Sequence, residues 1–328
     1  MFDVITIGSA TRDAFVKSKA FKILQTKQFP TGKALGISLG SKIHVDELNF
    51  YIGGGAVNTA LTFARQGLKT AVFAVVGKDP GGQEVERVLK EEGVFRDLLQ
   101  IDKKDHTSYS IVLTVGKNGR SILRYDGAVW HFPKVPKKLS QTKWLYINHL
   151  GGEGVKLLPE IFKLAKAKKL KVAWNPGSTQ IEKAAIAIRP YLSLVDVFLV
   201  NQEEASLCTG IPYQKRDKIF GKLDTWVRGI VVMTRGPQGV EVSDGTTKWS
   251  AGVLPLKNVI DRTGAGDAFG SAFVASIIQK PNEVEQAIQL ASANATSVLT
   301  EYGAANGLLK KGSSRSKWGK LKIKKTKA

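Results

Sequence analysis

NVIDRTGAGDAFGSAFVASIIQ, from Asn258 to Gln279, is the stretch on which the reading of this chain turns. A short β-branched entry runs into Gly264, Ala265 and Gly266, and an apolar helix is expected from about Asp267 onward. The first backbone N–H groups of a helix have no partner within it, and small residues there leave them accessible. Together with the helix dipole they form an anion pocket. Such a pocket can hold the charge that develops on a phosphoryl group in transfer. Asp267 stands at its mouth. A carboxylate there repels phosphate, so it makes sense as a base that takes the proton of an attacking hydroxyl. In isolation an N-capping Asp on a glycine-rich turn would look the same.

Working outward, YIGGGAVNTALTFARQG (Tyr51 to Gly67) repeats the pattern of glycines before a helix. Backbone can approach a ligand closely at Gly53 and Gly54. Asn58 falls in the first turn, and its carboxamide offers both donor and acceptor to sugar hydroxyls. Tight helix–strand packing is the other use of such glycines. Asp13, just past the first strand, is an acid that can hold two hydroxyls, or a solvated loop acid. VNQEEAS sets Asn201 and Glu204 at a strand-to-helix junction, where they can orient magnesium-bound waters or simply cap the helix. TRGPQGV places Thr234, Gly236 and Gly239 after a buried strand, open to a ligand or forming a plain turn. No G-x-x-x-x-G-K-[ST] phosphate loop occurs, nor a G-x-G-x-x-G fingerprint after the first strand.

Apolar runs alternate with amphipathic segments along most of the chain. The runs are DVITIGS, KTAVFAVVG (69–77), KWLYINHLG (143–151), LKVAWNPG (170–177), VDVFLVN (195–201) and GIVVMTRG (229–236). Continuous runs of this kind suit strands buried on both faces. The segments between them, at 56–66, 83–92, 154–168 and 202–208, read as helices. The alternation predicts a three-layer α/β/α fold with a mostly parallel central sheet. Two regions break the rhythm, at about 14–52 and 107–129. In the second, SYSIVLTVGKNGRSILRYDGA reads as two strands around a turn at Lys117–Asn118–Gly119. Together they predict a small strand-built subdomain.

The 328 residues are 43% hydrophobic, enough for one large core. Cys208 is the single cysteine, which excludes an intramolecular disulfide and fits a reducing compartment. No apolar run reaches the roughly 18 residues of a spanning helix, and the first ten residues do not read as a leader, so a cytoplasmic location is expected. The net charge is +21, and nine of the basic residues fall between Gly307 and Ala328, with no acid there. Residues 309–328 therefore read as a basic, disordered tail with Trp318 as its one anchor. Such charge also admits a reading from another class, a nucleic-acid-binding protein.

An Asp near the first strand, then GG-x-x-x-N, N-x-x-E, T-x-G-x-x-G and D-x-T-G-A-G-D, is an order that resembles the ribokinase-like (PfkB) carbohydrate kinases over residues 1–308. The resemblance implies a ribokinase-like fold with a β lid. It implies an ATP- and Mg2+-dependent kinase, ribokinase- or fructokinase-like, acting on a hydroxyl of a sugar or sugar derivative. The alternative within the family is a nucleoside kinase. Asp267 is then the catalytic base, and Gly264, Ala265 and Gly266 the anion hole. The sugar site is Asp13, Gly53, Gly54 and Asn58, with Arg124 reaching in from the lid. Asn201 and Glu204 orient magnesium and phosphate. Thr234, Gly236 and Gly239 form the nucleotide edge, and Asn294 flanks the adenine. Asp261 and Thr263 are implied as a site for a monovalent cation, K+. An exposed lid edge is a natural homodimer interface. The chain departs from ribokinases proper at Gly55, where they carry Lys, and at Asn148 and His149, where they often carry an acid.

Overall fold

The computed structural model describes residues 1–29, 31–115, 119–178, 180–182, 188–313 and 315–328. In chain order the first strands and helices are β1 (Phe2–Ile7), β2 (Thr11–Lys17), β3 (Lys22–Gln25), β4 (Lys33–Gly36), β5 (Glu47–Gly53), α1 (Gly55–Arg65), β6 (Thr70–Phe73), β7 (Val75–Gly77) and α2 (Pro80–Glu91). Next come β8 (Gln100–Asp102), β9 (Ser108–Thr114), β10 (Arg120–Tyr125), β11 (Thr142–Ile147), α3 (Leu158–Lys168), β12 (Lys171–Trp174) and β13 (Val197–Asn201). The chain ends with α4 (Gln202–Thr209), α5 (Arg216–Trp226), β14 (Ile230–Thr234), β15 (Val240–Ser243), β16 (Thr247–Ala251), α6 (Ala265–Gln279), α7 (Val284–Val298) and β17 (Ile323–Lys327).

The central sheet runs in the order β17-β16-β15-β14-β13-β12-β11-β1-β6. From β6 to β14 every pairing is parallel; β15, β16 and β17 add an antiparallel edge. Strand alternation sends side chains to two cores. Ile5, Ile7, Leu145, Ile147, Phe198 and Val200 pack with residues of α3, α4 and α5. Val4, Tyr146, Val197 and Leu199 pack on the other face with Phe63 of α1 and with α6 and α7. This is the expected three-layer α/β/α architecture, and every expected apolar run holds a strand of it. Because the strands are parallel, the carboxyl ends of β1, β11, β12, β13 and β14 open on the same side.

A second sheet, β10-β9-β2-β5, is built from the two regions that break the rhythm. β9 and β10 pair antiparallel as the hairpin reading requires, from Arg120 opposite Thr114 to Tyr125 opposite Tyr109. Lys117 and Asn118 of its turn lie outside the described residues. The long stretch between β2 and β5 carries its own two-stranded hairpin, β3–β4.

The C-terminal segment differs from expectation. Residues 323–327 are not a disordered tail: they form β17, paired in register with β16 from Ile323 opposite Ala251 to Lys327 opposite Thr247. The sheet would otherwise end on the unpaired edge of β16. Leu321 is buried in the second core, with Trp318 and Ile323 packed against it. Lysines dominate β17 because it is now the edge, where charge discourages further pairing.

Candidate active site

A cavity of about 330 Å³ opens at the carboxyl ends of the parallel strands. Ser9 follows β1, Asn148 and His149 follow β11, Asn175 and Gly177 follow β12, Asn201 and Glu204 follow β13, and Thr234 ends β14. Gly55 of α1 and Gly266 and Asp267 of α6 complete the wall. Both glycine-led helix starts therefore face one space.

Local geometry explains the glycines. Gly54 caps α1 with φ 94°, a left-handed value that favours glycine, and a Cβ there would lie 2.5 Å from the Ser9 carbonyl oxygen. The Ser9 loop in turn holds the helix start: its Oγ accepts from Gly55 N at 3.1 Å and its carbonyl from Ala56 N at 3.1 Å. Gly264 caps α6 with φ 75° and packs against Ala304. The two helices meet where Asn58 Nδ2 donates to Asp267 Oδ2 at 2.9 Å. Burial raises the Asp267 pKa from its ordinary value. The Asn58 hydrogen bond opposes that rise, and the nearby Glu204 charge adds to it.

Two buried acceptors in this region have no donor: Asn58 Oδ1 and Asn148 Oδ1. Asn148 spends its Nδ2 on the Ile7 carbonyl and on Thr59 Oγ1, both at 3.2 Å, so its orientation is fixed. An unpaired buried acceptor costs about 1–3 kcal/mol. Of the two residues, Asn148 lines the cavity, where a ligand that brings a hydroxyl donor would offset this cost.

At the other end of the cavity Asn201 and Glu204 form a capping box. Glu204 N donates to Asn201 Oδ1 at 2.8 Å, and Asn201 N donates to Glu204 Oε2 at 2.9 Å. Ser178 Oγ donates to Glu204 Oε1 at 2.9 Å. The pair caps its helix, as one of the two readings requires, and both residues also line the cavity. Thr234 lines the cavity, whereas Gly236 and Gly239 do not. Gly239, at φ 94°, is needed where the chain packs on the Ala251 carbonyl.

Other sequence-chosen residues stand elsewhere. Asp13 is buried on β2, above Gly53, whose missing side chain leaves room for its carboxylate. Burial raises its pKa; hydrogen bonds from Ser110 and Thr11 lower it, and the Asp261 charge raises it further. Asn294 is not part of the cavity wall. It is fully buried, donating to the Ala268 carbonyl at 2.8 Å and accepting from Leu309 N at 2.8 Å, so it ties α7 to α6. Arg124 does not reach the cavity either: it is exposed and paired with Asp126. The arginine of the second sheet that reaches the α6 entry is Arg120, bonded to Asp261 and to Thr263 Oγ1. Sequence reasoning missed it, and missed Ser9 and Ser178. Asn148 had a weak signal, as the polar residue ending a middle strand.

The mostly parallel α/β fold thus brings two helix starts and a carboxylate together at the strand ends. The family model for pfkB family carbohydrate kinases matches residues 5–311, and the chain belongs to that family. It is 30% identical over 313 residues to the cytidine kinase of Thermococcus kodakarensis, covering 92% of this chain and 98% of that one. It is 26% identical over 266 residues to the ribokinase of Haemophilus influenzae, covering 78% and 83%. Among solved structures, the Arabidopsis thaliana ribokinase complexed with ribose and ATP aligns with TM-score 0.75 at 18% identity, over 95% of this chain and 97% of that one. The Burkholderia thailandensis nucleoside kinase in complex with inosine aligns with TM-score 0.72 at 17% identity, over 94% and 95%. The chain is thus a sugar or nucleoside kinase of the pfkB family.

Proposed function

We propose that the chain transfers the γ-phosphate of ATP to a hydroxyl of a ribose-like sugar, free or within a nucleoside, with Asp267 as general base. The observation that carries this is the cavity wall itself: Asp267 and Gly266 stand between hydrogen-bonding groups of α1 and β11 on one side and Asn201, Glu204 and Thr234 on the other. The acceptor belongs at the first side, where Asn148, with an unpaired oxygen, lines the cavity and Asn58 holds Asp267. Asp13, on β2 of the second sheet, is the further acid for that end. The nucleotide belongs at the second side. Asp267 takes the proton of the acceptor hydroxyl, whose oxygen attacks the γ-phosphorus. The bond to the β–γ bridging oxygen breaks and ADP leaves. The first amides of α6, from Gly264 to Asp267, face the charge on the moving group.

Asn201 and Glu204 fit a magnesium ion held through water, since both line the cavity and each Glu204 oxygen, which accepts one hydrogen bond, has capacity to accept another. When bound, that ion neutralises phosphate charge beside the acids. Asp261 and Thr263 do not fit a monovalent cation. Asp261 Oδ1 accepts from Arg120, from Thr263 N at 3.0 Å and from Thr263 Oγ1 at 2.8 Å, and Oδ2 accepts from Gly303 N at 3.2 Å.

The second sheet acts as a lid that excludes water, a competing acceptor. Exposed Leu48, Phe50, Ile122 and Leu123 on its edge strands support pairing with a second copy. The full-length match to a cytidine kinase favours a nucleoside acceptor as the second reading. A screen of pentoses, hexoses and nucleosides with ATP and MgCl2 separates the two; phosphorylation of none of them refutes both.

A further inference from the structure

Arg120 opens β10 at the tip of the lid hairpin. Its Nη1 donates to Asp261 Oδ1 and, at 2.7 Å, to Thr263 Oγ1. This is not a surface ion pair. The Asp261 side chain is 5% exposed and the Arg120 side chain 35%. The other Asp261 oxygen accepts from Gly303 N, and Gly303 lies against the Tyr51 ring of β5. One carboxylate therefore joins the lid hairpin, the loop entering α6 and the turn after α7. That loop runs directly into Gly264, Ala265, Gly266 and Asp267.

Two physical consequences follow. The loop 258–264 is mostly exposed and lies outside helices and strands, so what holds it also holds the start of α6, where Gly266 and Asp267 line the cavity. Gly303 N and the Leu299 carbonyl tie the loop to the end of α7 and the turn after it, and Arg120 adds a tie to the lid hairpin that exists only when the hairpin is down. A buried carboxylate also needs a compensating charge, and removing one partner of such a pair is strongly destabilising. The compensating charge here is the guanidinium, fixed by two acceptors.

We propose that Arg120 is a positioning residue that latches the lid to the anion-hole loop, and that its guanidinium takes the place at Asp261 and Thr263 which the family resemblance gives to a monovalent cation. Closing the lid and ordering the amides beside Asp267 are then one event, and transfer proceeds without K+. Only the kinetic arm of the test rests on the kinase reading; the other arms are read without turnover.

The full-length wild type, R120A and R120K are compared by amide hydrogen exchange and by binding of Tl+, a K+ analogue, followed by 205Tl NMR. In R120A, exchange across 108–125 and across 258–266 rises together, by about ten- to a hundredfold, and Tl+ binds. In R120K most protection remains, and wild type takes up no Tl+. R120K carries the comparison if R120A does not fold. In turnover, R120A loses about ten- to a hundredfold in kcat with KM for ATP changed by about twofold or less. Added K+ at constant ionic strength restores part of its rate and leaves wild type unchanged. The latch is refuted if the hairpin loosens in R120A while 258–266 stays protected. The charge replacement is refuted if wild type binds Tl+ or needs K+. A wild type with no turnover on any acceptor counts against the kinase reading, and the exchange and Tl+ results still decide the latch.

Discussion

Asp267 is asked to be buried and charged at once, and the energetics of the residue follow from that conflict. Burial and the Glu204 charge raise its pKa, while the Asn58 hydrogen bond lowers it. A raised pKa makes a stronger base, provided the group is still ionised at the working pH. The rate should fall as pH drops through that raised pKa. In Asn58→Ala the stabilising donor is gone, so the acidic limb of the pH–kcat profile should move to higher pH; an unmoved limb would detach Asn58 from the base. The sign of the stability effect is also set. A carboxyl whose folded pKa lies above its unfolded value binds more protons when folded. Its stability penalty is fully present above the folded pKa and disappears as pH falls below the unfolded one. Asp267→Asn therefore should not lower Tm at neutral pH, while turnover falls by about 10²–10⁴-fold. Asn294 makes the contrasting case: Asn294→Ala breaks two buried hydrogen bonds and should cost roughly 2–4 kcal/mol in urea unfolding without a direct effect on chemistry.

At the scale of elements, β17 is where sequence and structure part. Its five residues, IKKTK, carry no apolar alternation, so composition alone reads them as solvated chain. What orders them is the open edge of β16, with Leu321, Ile323 and Trp318 packed beside it. A chain ending after Ser313 should lose about 2–4 kcal/mol of stability, on the scale of one or two buried side chains, and should expose Trp249. Equal denaturation midpoints for the two chains would return the segment to the status of a tail. The strands at 69–77, 143–151 and 195–201 were legible because burial on both faces demands long apolar runs. The glycine-led starts of α1 and α6 were legible because left-handed caps and close approach admit few other residues. Arg120 was not legible: an arginine at a hairpin tip reads as solvent-exposed, and its partner lies far along the chain. The structural bonds of Asn294 were not legible either, since a carboxamide spent on buried backbone has no local signature.

For the whole molecule, the parallel order of β1, β11, β12, β13 and β14 gathers polar loop residues from across the chain at one end of the sheet. The charge of +21 gives a surface that favours anionic ligands such as nucleotides, and it did not dictate the fold. Which sugar or nucleoside enters is set by the cavity and the lid, features that motif spacing does not encode. The most direct measurement is transfer of ³²P from [γ-³²P]ATP with MgCl2 to ribose, fructose, cytidine and inosine, run side by side with wild type and Asp267→Asn. Phosphorylation of at least one acceptor by wild type, lost by about 10²-fold or more in the variant, is the predicted result. Label transfer by the variant at the wild-type rate would contradict the account.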